Sequence, residues 1–351
     1  MLNSKNIFLT GGTGSFGKKF IEMAFRLFNP NSIVVYSRDE LKQYEMAQWV
    51  AQKQYPVVFK MGDVRDSERL RRCMHQMDIV IHAAALKHVP AAEQNPSEFI
   101  KTNIIGAQNV IEAALVCNVE KVVALSSDKA CNPINLYGAT KLASDKLFVS
   151  ASGQNHNDHT IFSVVRYGNV VGSRGSVIPF FMNIKNSGVI PITDGRMTRF
   201  WITLDQGIDL VFNGFEKMHG GEIFVPKIPS MKVIDLANAL ASDCEIKITG
   251  IRPGEKLHEC MIGEDDAPYT LEFDDHYEIH PAIHDWYLDP ARNIGGRKVP
   301  EGFRYSSEIN QNWINKEGLM KILDEYALVG QELLKLDEIG FNNHKLISQL
   351  E

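Results

Sequence analysis

The chain has 351 residues, enough for one elaborated domain or two smaller ones around a large core. Its formal net charge of −6 and apolar share of 44% give no electrostatic reason to expect nucleic acid or an anionic membrane, so an anionic substrate must be held by local arginines. No apolar run approaches the ~20 residues of a membrane span, and the first residues read as strand and glycine loop rather than signal peptide. The cysteines Cys73, Cys117, Cys131, Cys244 and Cys260 are odd in number and lack metal-ligand spacing, so free thiols in a soluble, cytoplasmic protein are expected.

Asn6 to Thr10 reads as a short buried strand. It runs into Gly11-Gly12-Thr13-Gly14-Ser15-Phe16-Gly17 and then the amphipathic stretch Lys18 to Phe28. Strand, glycine turn and helix are in the order that holds a dinucleotide: glycines permit close backbone approach, and the helix start offers free N–H groups to a pyrophosphate. The next strand, Ser32 to Tyr36, ends in Ser37-Arg38-Asp39-Glu40-Leu41-Lys42. An acidic residue there favours NAD and an arginine accommodates the extra phosphate of NADP, so Ser37, Arg38 and Lys42 predict NADP. The competing reading makes Asp39 the ribose ligand, but Asp39 falls two residues late, in what reads as the first turn of a helix.

Further on, helical stretches at Leu41 to Gln54, Ser67 to Gln76, Pro96 to Cys117 and Leu136 to Ser150 alternate with apolar runs at Val57 to Met61, Asp78 to His82, Lys121 to Leu125 and Ile161 to Arg166. This alternation predicts an α/β fold, a Rossmann-type doubly wound parallel sheet with ligands at the carboxyl ends of its strands. Asp63, the segment Ala83-Ala84-Ala85-Leu86-Lys87, Ser126 to Lys129 and Tyr167-Gly168-Asn169 fall at those ends. The densest chemistry is Ser126 to Lys141. Tyr137 and Lys141 stand at i and i+4, sharing a helix face, and a neighbouring cation lowers a phenol pKa toward the range where it accepts an alcohol proton.

The organisation read from the pattern is a dinucleotide-binding domain over 1–170, a return segment near 200–217, a smaller substrate lobe over 171–315 and a helical tail over 316–351. Arginines stand beside turns in Ser173-Arg174-Gly175, in Asp194 to Arg199 and in Gly250 to Lys256, placed to grip phosphate or to be solvated. His276, His280 and His284 recur every fourth residue, but Pro281 breaks the helix that would gather them. Polar loop histidines and no metal are expected.

These residues together resemble the extended short-chain dehydrogenase/reductases that act on nucleotide sugars, and among them the inverting UDP-N-acetylglucosamine 4,6-dehydratases of pseudaminic acid biosynthesis. The resemblance runs from Thr10 to roughly Trp313. It is carried by Tyr36 to Gln43, Gly62 to Asp66, His82 to Pro90, Asp128 to Lys141, Arg166 to Ser176, Met197 to Thr203 and Arg252 to Glu259. It implies that Tyr137, assisted by Lys141, removes the C4 hydroxyl proton during oxidation, that Lys129 takes the C5 proton, and that Asp128 protonates the departing C6 hydroxyl. Lys129 must then be neutral; burial and Lys141 are expected to lower its pKa while Asp128 opposes them.

The resemblance also implies cofactor contacts from Gly11, Thr13, Gly14, Ser15, Phe16 and Gly17, from Ser37, Arg38, Asp39, Glu40, Leu41 and Lys42, and from Asp63, Val64, Ala85, Lys87, Tyr137, Lys141 and Val170. Substrate contacts are implied for Lys87, Tyr167, Asn169, Arg199, Arg252 and Glu255, and a homo-oligomer for the assembly. A nucleotide-sugar 4-epimerase shares Tyr137 and Lys141 but needs no acid and base for elimination. Retaining dehydratases and the dehydratase/2-epimerase group differ at Lys129 or Tyr137, and a non-catalytic NADP-binding regulator tends to lose the Tyr/Lys pair.

Overall fold

The computed structural model describes residues 1–152, 159–171, 177–315 and 317–322. The expected strands form as β1 (Asn6–Thr10), β2 (Ser32–Ser37), β3 (Val57–Met61), β4 (Ile79–His82), β5 (Lys121–Ser127) and β6 (Ile161–Tyr167). They lie side by side in the order β3-β2-β1-β4-β5-β6, every neighbouring pair parallel. The strand period of two sorts their side chains: Phe8, Val34, Val80 and Val122 enter one core, while Ile7, Leu9, Ile33, Ile79 and Val123 enter the other. Both faces are therefore covered, as a parallel sheet requires.

Helices α1 (Ser15–Leu27), α2 (Glu40–Lys53) and α3 (Ser67–Met74) match their sequence patterns to within a few residues. The helix expected over Pro96 to Cys117 forms as one continuous run, with a π segment inside it. After α4 (Val89–Gln94) the chain makes α5 (Pro96–Phe99), a π turn (Ile100–Ile105) and α6 (Gly106–Val116). The wider turn carries Asn103, buried at 1% exposure. Asn103 accepts from the Leu86 N–H at 2.8 Å and donates to the Leu86 carbonyl at 2.9 Å and to Thr140 Oγ1 at 3.0 Å. A π turn at such a junction commonly serves a site rather than the helix.

Next comes α7 (Leu136–Ala151), and after β6 the chain leaves the sheet for β7 (Asn169–Val170), α8 (Val177–Ile184), β8 (Val189–Ile192) and β9 (Thr198–Ile202). The expected return is α9 (Leu204–Lys217), which packs on α1 through Phe20 and Phe212, ring centroids 5.6 Å apart, and through Lys19 and Asp205 at 3.1 Å. β10 (Ile223–Pro226) then joins β6 in parallel. β11 (Ser230–Lys232), α10 (Val233–Leu240), β12 (Glu245–Ile248) and β13 (Cys260–Ile262) follow. The smaller lobe has its own core of Ile178, Phe181, Ile190, Trp201 and Leu236.

The sheet does not end near residue 170. β14 (Thr270–Glu272), β15 (His276–Ile279) and β16 (Arg297–Lys298) extend it antiparallel beyond β10, making ten strands among the described residues, and β17 (Tyr305–Ser306) pairs with β13. The segment 171–315 is thus interleaved with the sheet rather than set apart from it. Most of the tail expected over 316–351, and Ser173-Arg174-Gly175, lie outside the described residues. The five cysteines are free.

The histidine reading needs correction. His276 opens a strand and, with His280, is buried rather than displayed on a polar loop; its ring lies 2.6 Å from Asp275 Oδ1 and 3.0 Å from Glu278 Oε1. Beneath the sheet edge a second polar anchor is buried. Arg166, 2% exposed, pairs with Asp145 Oδ2 at 3.1 Å and donates to the Met261 carbonyl at 2.9 Å, tying β6 to α7 and β13. Asp145→Ala strands that guanidinium, and an unfolding titration is expected to show a loss of about 3–5 kcal/mol.

Candidate active site

The glycine loop is shaped for a ligand at the start of α1. Gly11 has φ +66°, and a Cβ there would stand 2.7 Å from the Ala84 Cα, so only glycine fits between β1 and the loop after β4. Gly14 caps α1 without a side-chain hydrogen bond, and no acidic residue stands in the first turn. The N–H groups of Ser15, Phe16 and Gly17 are thus left to the helix's positive end, the arrangement that receives a pyrophosphate. Thr13 lies in the same turn. Behind the loop, Thr10 Oγ1 accepts from the Ala84 N–H at 3.3 Å and meets His82 Nδ1 at 2.9 Å; burial pushes the His82 pKa down to about 3, so the ring is neutral.

At the end of β2, Arg38 is exposed, with a 3.6 Å contact to Asp63. Asp39 is committed elsewhere: it caps α2 by accepting from the Lys42 N–H at 3.1 Å and pairs with Lys42 Nζ at 2.7 Å. Ser37 Oγ accepts from Gln43 at 3.1 Å, while Glu40 and Leu41 point outward. Asp63 is gripped by Arg65; burial raises its pKa, and the hydrogen bonds and charge of Arg65 prevail and lower it. Val64 is buried under Gly106, Ala85 is exposed on the loop after β4, and Val170 pairs with Ile202.

Asp128 and Lys129 stand on a 3-10 turn (Asp128–Ala130) directly after β5, where Ser127 accepts from the Lys129 N–H at 3.2 Å and donates to Asp128 Oδ1 at 2.8 Å. Asp128 is 1% exposed, its Oδ1 lies 3.0 Å from Lys129 Nζ, and its Oδ2 is buried without a hydrogen-bond partner. α7 delivers Tyr137 and Lys141, both buried, and it presses on this turn at Gly138, where a Cβ would fall 2.2 Å from the Lys129 carbonyl oxygen. Asn135 caps α7 by accepting from the Gly138 N–H at 2.8 Å and donates to the Gly254 carbonyl at 2.7 Å, linking the helix start to the smaller lobe. Lys141 donates to the Leu125 carbonyl at 2.8 Å.

Two electrostatic expectations reverse. Burial pushes the Tyr137 phenol up to about 12; the opposing cation is Lys129, with help from a Ser127 hydrogen bond, and Lys141 does not set the balance. Burial works against the Lys129 charge, yet Asp128 and Glu259 outweigh it and hold the amine above its ordinary value, with Arg199 opposing. In the free protein Lys129 is therefore an ammonium. Lys141 is itself lowered by burial, against Asp145.

Of the residues expected to meet the substrate, Asn169 Oδ1 lies 3.5 Å from Lys129 Nζ, and Tyr167 and Lys87 interact electrostatically with Tyr137 and Lys129 respectively. Burial raises the Tyr167 pKa and lowers that of Lys87. Arg199 is buried with its guanidinium donors on the carbonyls of Thr198, Leu257 and Lys256, so it shapes the 256–259 segment. Arg252 is exposed and forks onto Glu255; burial raises the Glu255 pKa, and Arg252 pulls it below the ordinary range. Arg196 is likewise exposed and forks onto Asp194. Sequence reasoning missed Asn103, Asn135 and Glu259. Of these, Glu259 had a signal, since it closes the Arg252 to Glu259 block, but no local spacing points it at Lys129.

Residues 7–281 match the family described as polysaccharide biosynthesis protein. The chain belongs to this family. It is 56% identical over 334 residues to a UDP-N-acetylglucosamine 4,6-dehydratase (inverting) of Campylobacter jejuni, spanning 92% of this chain and 98% of that protein. A UDP-glucose 4-epimerase of Rickettsia bellii is 38% identical, spanning 95% and 99%. The crystal structure of Pen from Bacillus thuringiensis superposes with a TM-score of 0.85 at 35% identity, covering 93% of this chain and 99% of that one. The family member is thus an extended short-chain dehydrogenase/reductase whose relatives include both dehydratases and epimerases.

The Tyr137 phenol is expected to ionise near about 12 in the protein without ligands. The difference between alkaline ultraviolet titrations of the wild type and Tyr137→Phe reads it, and a transition at the ordinary value of ~10 would contradict the burial argument.

Proposed function

We propose that the protein is an inverting UDP-N-acetylglucosamine 4,6-dehydratase that uses NADP. The observation that carries this reading is the Asp128–Lys129 contact of 3.0 Å beside the buried Tyr137 and Lys141. A 4-epimerase has use for the second pair only, and the 56% identity to the Campylobacter enzymes supports the dehydratase over the epimerase relatives. The glycine loop and the uncapped start of α1 fit a nicotinamide dinucleotide, held by Gly11 to Gly17 and by the β2 end. When bound, it supplies the redox chemistry, accepting hydride from C4 and giving it to C6.

The residues of the chain do the acid and base work. Tyr137 takes the C4 hydroxyl proton, and the resulting ketone makes the C5 proton acidic. Asp128 and Lys129 then need to be carboxylic acid and amine, whereas in the free protein Lys129 is an ammonium lying against Asp128. A single proton moved across their 3.0 Å contact supplies both forms at once. Lys129 removes the C5 proton and Asp128 protonates the leaving C6 oxygen.

For the cofactor, exposed Arg38 and the commitment of Asp39 to its cap favour NADP over NAD. We assign the protein to the cytoplasm on its free cysteines, and to a homo-oligomer on the resemblance to its family; no helix among the described residues is long and apolar enough to cross a membrane.

The deciding experiment is proton NMR of the purified protein with UDP-N-acetylglucosamine and NADP⁺ in D₂O. A C6 methyl, deuterium at C5 and the couplings of the L-arabino 4-keto sugar are expected; UDP-N-acetylgalactosamine without a methyl would replace the reading with 4-epimerisation. Lys129→Met and Asp128→Asn are expected to lower dehydration by about 10²-fold or more. In binding titrations Arg38→Ala is expected to lose about tenfold or more in NADP affinity and little in NAD affinity. An unchanged NADP-to-NAD ratio would remove Arg38 from the cofactor site.

A further inference from the structure

Glu259 lies outside the acid, base and tyrosine roles. It is 3% exposed just ahead of β13, its Oε1 lies 3.3 Å from Lys129 Nζ and 3.7 Å from Arg199 Nε, and its Oε2 is buried without a hydrogen-bond partner. Its backbone is fixed on both sides. The N–H donates to Ser307 Oγ at 2.9 Å, and the carbonyl accepts from the Ser307 N–H at 2.8 Å. A buried carboxylate held this firmly with one oxygen unmatched is expensive unless its charge is used.

The use follows from what inversion at C5 demands. Lys129 must take the C5 proton and then keep it, because a proton handed back to the face it left would restore the original configuration. We propose that Glu259 is a positioning residue that sets the stereochemical outcome, holding the ammonium that forms on Lys129 so that C5 is reprotonated from the opposite face. The proposal rests on the dehydratase reading.

In elimination the C5–H bond breaks, its proton joins the Lys129 lone pair, and its electrons form the C5–C6 double bond. The C6–O bond breaks and the oxygen leaves as water with the Asp128 proton. Reduction at C6, the chemistry that a bound nicotinamide would supply, would leave a C4 enolate whose C5 receives a solvent-derived proton. At that moment Lys129 is flanked by two carboxylates, Asp128 beside it and Glu259 from just ahead of β13. The other charged or titratable groups facing it are Arg199 on β9, Lys87 on the loop after β4 and Tyr137 on α7. Asp128 and Glu259 raise the Lys129 pKa, and a less acidic ammonium returns its proton more slowly.

The test compares wild type, Glu259→Gln and Glu259→Asp with NADP⁺ and UDP-N-acetylglucosamine in D₂O at early conversion, reading C5 configuration and C5 deuterium by NMR. In Glu259→Gln the share of product with the original C5 configuration is expected to rise about tenfold, since one of the two carboxylates is lost, and that share is expected to carry less C5 deuterium than the inverted product because the abstracted proton is one of three hydrons on the ammonium. Glu259→Asp keeps the charge but draws it back by a methylene, and its ratio is expected between the other two. A Gln variant with the wild-type ratio and deuterium content overturns the proposal. Should the Gln variant fail to fold by thermal melting, the Asp variant decides: an intermediate ratio supports the proposal and the wild-type ratio overturns it. A wild type that makes no C6 methyl, or makes only the original C5 configuration, removes the inverting dehydratase reading instead, before either variant is compared.

Discussion

A largely enclosed ammonium is the constraint on which the site is built. Lys129 sits at the end of β5, where the sheet, α7 and β13 meet, and only 24% of its side chain reaches solvent. A charge in that position without partners costs several kcal/mol. One partner, Asp128, is the preceding residue; the other, Glu259, comes from 130 positions later in sequence and has to be brought by the smaller lobe. The same logic repeats one layer down, where Arg166 is held by Asp145 of α7 and the Met261 carbonyl of β13. The lobe is therefore docked on the sheet by buried charges as well as by apolar packing.

This docking sets up opposed demands on two proton carriers. Burial makes Tyr137 reluctant to ionise, and the carboxylates make Lys129 reluctant to be neutral. Both groups rest in the protonated form, opposite to the one the proposed steps use. Such a site is quiet until ligands alter its solvation and charge, and the unmatched Oδ2 of Asp128 and Oε2 of Glu259 are where it has spare capacity to accept hydrogen bonds.

What could be read from sequence was what depends on local pattern. The first six strands, the glycine turn and α7 follow from apolar periodicity, glycine placement and an asparagine cap, and the spacing of Tyr137 and Lys141 follows from the helix itself. The π segment at Ile100–Ile105 was not legible, because it goes with the hydrogen bonds of Asn103 to Leu86 and Thr140, partners elsewhere in the chain. Burial of His276 and His280 was hidden for the same reason: strand pairing of β15 with β10 and β14, not Pro281, decides their surroundings. The protonation of Tyr137 and Lys129 was equally out of reach, because loss of water around the phenol and the approach of Glu259 to the amine decide it, and sequence distance encodes neither.

The route of the chain has a mechanical consequence. After β6 it passes into the smaller lobe, comes back as α9 and β10, leaves again for β11 to β13, and returns as β14 to β16. Two bodies stitched together by so many separate crossings cannot swing about one flexible joint as lobes on a single linker do. Any opening between them has to bend every crossing at once, so the strands and helices that carry Asp128, Lys129 and Tyr137 are tied to the smaller lobe at several points rather than one.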